Sequence, residues 1–293
     1  MTPYLFIFLS MLFFSIGIFI DNFLINKRFK DTKSLLFYSN ITNLLFIPLL
    51  WIFGMPKMLP TDLIIPLVVV GIAQIIYLYP YYKALKVADT SIISALFNLG
   101  KIFTPVLAYV IVNERLSPIQ YAGFAIIIFA SFMLTYEGGL KVNKALLYMM
   151  LTTLILAISS TVTKYSLGEV DWITVMTWSA VFSTIITIVV GLIFYRRHIA
   201  KSGKNYFRSF WQFMINEFVT FIAMACLIYA IVDIPVTIAQ GLLATSPVLM
   251  IALTFFGRRL WPSYFKENLQ WKYIIRKSVY FIIIAIGIVM SVR

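Results

Sequence analysis

Lys101 sits within Ser91-Ile-Ile-Ser-Ala-Leu-Phe-Asn-Leu-Gly-Lys-Ile-Phe-Thr-Pro-Val-Leu-Ala-Tyr-Val110, an otherwise apolar stretch long enough to cross a bilayer, and nothing within one helical turn neutralises it. A charge at that depth costs about 2.5 to 3.5 kcal/mol on insertion scales, so it faces protein or water rather than lipid. Ser91, Ser94, Asn98, Lys101 and Pro105 recur at spacings of three and four, which places them on one stripe of a helix. That stripe reads as the polar wall of a cavity. The ammonium of Lys101 suits a carboxylate or phosphate, and Asn98 one turn away can orient such a group by hydrogen bonding. Further along the chain, Asn216 and Glu217 supply a donor and an acceptor within another apolar run. Gln74, Tyr77 and Tyr81 share one helical face and offer hydrogen bonds and aromatic walls. Lys101 and Glu217 can receive a substrate together, or they can pair with each other to offset desolvation. Asp21 stands roughly 9 Å of helix rise from Lys27, so it either faces the cavity or joins that lysine cluster at the interface. Pro105 and Pro247 are expected to kink their helices, as structural bends or as parts of a gate.

The elements that position these groups follow from composition. With 61% hydrophobic residues, 12% charged residues and a mean hydropathy of +0.94, the chain cannot form a water-facing surface. About ten apolar runs approach or exceed the roughly 20 residues that cross a hydrocarbon core: 3–26, 34–53, 62–86, 89–113, 117–136, 144–167, 172–195, 209–231, 234–257 and 272–292. The connections are short and leave no room for a soluble domain. The first run has no preceding Lys or Arg and no small-residue cleavage site, so it reads as a retained helix rather than a signal peptide.

The net charge of +13 does not point to nucleic acid, because the basic residues alternate from loop to loop. One side of the membrane receives 19 of the 24, and the other receives Lys57, Arg115, Lys164 and Arg293. The rich side is expected to be cytoplasmic, which puts both termini outside and favours an inner (plasma) membrane. Contact with anionic lipid headgroups accounts for the excess. The basic segment Arg196–Arg208 and the aromatic-basic stretch Arg258–Lys272 read as topology signals with interfacial anchors, or as partner or headgroup sites. His198 has no second ligand at metal-binding spacing and Cys226 is the only cysteine, so no metal site, cofactor or disulfide is expected. No Gly-rich phosphate loop or Walker-type lysine is present, which argues against ATP as the direct energy source.

Polar residues inside the runs recur about 143 positions apart. Ser10, Phe14, Gly17 and Asp21 match Thr153, Ala157, Ser160 and Lys164, and Gln74 matches Glu217. Asp89 matches Asp233, and Thr104-Pro105 matches Ser246-Pro247, with Asn98 and Gln240 each seven residues before the proline. Gly138-Gly139 is the natural joint. Residues 1–139 then form one five-helix repeat and 140–293 a second. An odd helix number makes the second repeat inverted, the build of many secondary transporters.

The stretch Ala84-Leu-Lys-Val-Ala-Asp-Thr-Ser-Ile-Ile-Ser-Ala-Leu96, then Thr104-Pro105, Asn113-Glu-Arg-Leu116, Gly123 and Ala130, resembles the repeat unit of EamA-type transporters of the drug/metabolite transporter superfamily. Ser246-Pro247 and Gly287 echo it in the second half. The resemblance implies an all-α fold of ten transmembrane helices in two inverted repeats, with a central cavity lined mainly by helices 1, 3, 4, 6, 8 and 9. Two departures stand out. The family's tryptophan-glycine signature in the first helix is absent, with Ser15-Ile16-Gly17 near its place, and Asp21 stands where that helix commonly carries lysine. The charge bias also places the termini outside, where the family usually has them inside.

The leading expectation is a secondary carrier, not an enzyme, that moves a small amphipathic metabolite bearing an anionic group by alternating access. Amino acids and related zwitterions suit a Lys101 and Glu217 pair, and a proton or sodium ion can serve as coupling ion. The runner-up is a flippase for a phospholipid or polyprenyl-linked headgroup, favoured by the aromatic content. An integral membrane enzyme acting on lipids is the alternative from another class, but it requires a clustered His, Asp or Ser constellation that the chain lacks.

Overall fold

In the computed structural model, the described residues are 2–28, 31–88, 93, 96–98, 101–135, 144–246, 249, 253 and 271–292, and their regular structure is entirely helical. The helices are α1 (Thr2–Phe23), α2 (Thr32–Leu44), α3 (Thr61–Ile76), α4 (Leu78–Leu85), α5 (Phe103–Val112), α6 (Pro118–Thr135), α7 (Lys144–Ser166), α8 (Trp172–Phe194), α9 (Arg196–Arg208), α10 (Phe210–Asp233), α11 (Val236–Leu243) and α12 (Trp271–Val292). A π-turn (Leu24–Arg28) extends α1, and a 3-10 segment (Ile47–Ile52) follows α2. Among the described residues, six spans are long and apolar enough to cross a membrane. Ile65, Val106, Val110, Ile193 and Phe194 turn large apolar side chains outward, as lipid-facing residues do. Ser91, Ser94, Asp89, Gly138-Gly139, Pro247 and most of the stretch from Arg258 to Lys272 lie outside the described residues.

Two helix breaks among the described residues differ from the continuous runs expected, and one cause explains them. A proline ring removes the bond to the carbonyl four residues earlier and crowds it. Pro80 acts on Ile76, where α3 ends, and Tyr77 interrupts the run before α4. Pro105 acts on Lys101, and the chain turns at Ile102 before α5. Unpaired backbone at membrane depth is tolerated only where protein or a wet cavity satisfies it. Asn98 Nδ2 does so at the end of α11, donating to Ala244 O at 2.8 Å.

Helix α1 lies along α10, α3 along α7 and α8, and α6 along α12. The last pair meets at glycines: a Cβ on Gly123 would stand 2.6 Å from Ser291 N and 2.7 Å from Gly287 O. Segment 196–208, expected to be a connecting loop, is instead the helix α9, basic on one face. Its Tyr206 is buried, stacks on Tyr38 at 4.2 Å and places its hydroxyl 2.9 Å from Thr42 Oγ1.

Candidate functional site

A cavity in two joined compartments occupies the centre of the bundle. The polar compartment, about 760 Å³, is lined by Ser39, Asn40 and Asn43 of α2, Gln74 of α3, Ser183 and Thr184 of α8, and Asn216 and Glu217 of α10. The larger compartment, about 1300 Å³, is mostly apolar, with Met11, Phe14, Leu156, Leu227 and Leu243 on its walls and Lys101, Gln240 and Thr163 among its polar groups. Asp21, Tyr77, Thr220, Met224 and Ile228 border both. The helix breaks at Tyr77 and Ile102 bring the chain to this wall, so Tyr77 and Lys101 each project beside irregular backbone.

A hydrogen-bonded chain crosses the polar compartment. Tyr81 Oη donates to Asp21 Oδ2 at 3.0 Å, and Asn216 Nδ2 donates to Asp21 Oδ1 at 3.0 Å and to Glu217 Oε1 at 3.3 Å. Ser39 Oγ donates to the same Glu217 oxygen at 2.6 Å, and Tyr82 Oη reaches Ser39 Oγ at 3.4 Å. Tyr81, Asn216 and Ser39 thus satisfy carboxylate lone pairs that burial would otherwise leave empty.

Of the nine residues expected at the cavity, Asp21, Gln74, Tyr77, Tyr81, Lys101, Asn216, Glu217 and Gln240 line it. Asn98 does not. It is fully buried, and its Nδ2 donates to Ala244 O, which joins the fourth and ninth runs. Lys101 and Glu217 stand in different compartments and form no ion pair; among the described residues the ion pairs are Lys57 with Asp171 and His198 with Asp31. The proposed pairing of Lys101 with Glu217 is therefore corrected: hydroxyl and amide donors, not an ammonium, hold Glu217. Asp21 likewise faces the cavity instead of joining the Lys27 cluster. Helices α2 and α8 also line the space, beyond the six helices that the resemblance implied. Ser39, Asn40 and Asn43 were visible as a polar cluster in the run 34–53, but nothing in the sequence said that this face turned inward.

The sequence model of the EamA-like transporter family matches residues 1–136, just under half of the chain, so this portion is similar to that family of membrane transporters. No protein of curated function matches the sequence significantly. Among 28 significantly similar chains of known structure, one described only as "Crystal structure of protein" superposes with a TM-score of 0.61 at 13% identity. The match covers 97% of this chain and 98% of that chain, a likeness of fold over the whole length.

Proposed function

We propose that the protein is a secondary transporter that carries a small amphipathic metabolite with an anionic group by alternating access between two inverted five-helix repeats. The observation that carries this reading is Lys101, an ammonium with no ion-pair partner among the described residues, projecting into a large and mainly apolar compartment. An anionic group seated there gains a charge-assisted contact in a low dielectric, and the apolar walls accept the rest of the molecule. Gln240 and Ser246 of the same compartment supply neighbouring hydrogen bonds.

The packing pattern supports the repeat. Exchanging the halves turns the contact of α1 with α10 into that of α7 with α3, and both occur. The charge distribution supports a cytoplasmic face at α9 and an outer face at Lys57, Lys164 and both termini, in a bacterial inner membrane.

The test is calorimetric binding of carboxylate- and phosphate-bearing metabolites to purified protein, followed by uptake into proteoliposomes. Lys101→Gln should weaken binding at least about tenfold, as expected for loss of a charged hydrogen bond, whereas Lys101→Arg should keep weak binding. Unchanged affinity in Lys101→Gln overturns the assignment.

A further inference from the structure

Asp21 on α1 and Glu217 on α10 are joined through a single amide, Asn216 Nδ2. Their other hydrogen-bond partners, the hydroxyls of Tyr81 and Ser39 and, for Glu217, the side-chain amide of Asn43, are donors too. No ammonium, guanidinium or imidazole forms an ion pair with either carboxyl among the described residues. The groups that face them confirm the shortage of positive charge. The third run brings the phenols Tyr77, Tyr81 and Tyr82, α2 brings Ser39, Asn40 and Asn43, and α8 brings Ser183 and Thr184. On the far side of Asp21, α7 adds only hydroxyls, and Lys101 belongs to the other compartment. Two negative charges at membrane depth without a cation are the costliest state such a pair can adopt, and one bound proton relieves it.

The cluster also holds a place for that proton. Asn216 lines the cavity at 2% exposure, and its carbonyl Oδ1 has no hydrogen-bond partner. A carboxyl that takes up a proton changes from acceptor to donor and needs an acceptor nearby. Rotation of the Asn216 amide presents Oδ1 to it, so the same three side chains satisfy both protonation states.

We infer that Asp21, Asn216 and Glu217 form a proton-binding site that couples proton movement to transport. A proton enters from water on one side, forms an O–H bond on one of the two carboxyls, and leaves to water on the other side; no electrons are exchanged. The coupling role rests on the transporter reading, whereas the proton site rests on the cluster itself.

Infrared difference spectroscopy on the full-length protein in lipid vesicles, with no substrate present, tests the site as pH is lowered from mildly alkaline to mildly acidic. A carboxylic C=O stretching band should appear on acidification and be lost in the double variant Asp21→Asn, Glu217→Gln. Each single variant should keep a band displaced along the pH axis, because the two groups titrate as a pair. Asn216→Ala retains both carboxyls and should shift the band's frequency, which keeps the test available if the double variant fails to fold. Lys101→Gln should keep the band, so loss of metabolite binding there speaks to the transporter reading alone. An absent band in the unaltered protein, or the same band in the folded double variant, overturns the proposal. So does a band that follows sodium concentration at fixed pH.

Discussion

Lys164 and Glu114 hold opposite sides of a single turn, the one between α10 and α11. Lys164 Nζ donates to the carbonyls of Ile231, Val232 and Ile234 at 2.5, 3.0 and 3.2 Å. Glu114 accepts from the N–H groups of Val236 and Thr237 at 2.8 and 3.0 Å. A cation thus caps the negative end of one helix and an anion the positive end of the next, an arrangement worth about 0.3 to 1 kcal/mol per end and up to about 2 when partly buried. Lys164→Met and Glu114→Gln should each lower the thermal unfolding midpoint in detergent, with a larger drop at low salt. A midpoint unchanged in both variants would show that the turn stands without them.

Close approach of α6 and α12 depends on Gly123, where a methyl group would collide with backbone atoms rather than with movable side chains. Gly123→Ala should destabilise the protein by about 1 to 3 kcal/mol, the usual cost of overpacking. Gly203 in α9 provides the contrast, since an added Cβ there meets only Tyr38 Oη at 3.4 Å. Gly203→Ala should be neutral or stabilising by up to about 1 kcal/mol. Equal losses in the two variants would refute the packing argument.

On the opposite face of the bundle, Asp31 caps α2, with Ser34 Oγ at 2.7 Å, Lys33 N at 3.3 Å and His198 Nδ1 at 3.0 Å. Burial pushes this carboxyl up, but those hydrogen bonds and the histidine outweigh it and hold it below the ordinary carboxylate value. A lowered folded-state pKa adds stability above the unfolded value, near 3.9, and that stability is lost as pH falls through the folded value. Asp31→Ala should therefore cost about 1 kcal/mol at neutral pH through the lost cap. The gap to the unaltered protein should close only in strong acid; a gap that already closed near neutrality would contradict the assignment.

Orientation can be read by labelling. In a Cys226→Ala background, cysteine at Lys57 should react with an impermeant thiol reagent in intact cells, while cysteine at Lys201 should react only after lysis. The reverse pattern would invert the topology.

Much of this protein was legible in one dimension. Apolar runs and loop charges specify membrane insertion, because the transfer of each segment to lipid depends on that segment's own composition. The motifs between Ala84 and Ala130 carried the family resemblance for the same local reason. Eight of the nine residues expected at the cavity line it, since a polar side chain in an apolar run has few places to go. Partnership was not legible. Whether Glu217 meets Lys101 or Ser39, whether Asn98 faces a ligand or the Ala244 carbonyl, and whether Asp21 turns to Lys27 or to Asn216 depend on the rotation and depth of separate helices. Only packing sets those, through contacts such as Gly123 on α12 and through breaks that place Tyr77 and Lys101 at the cavity wall.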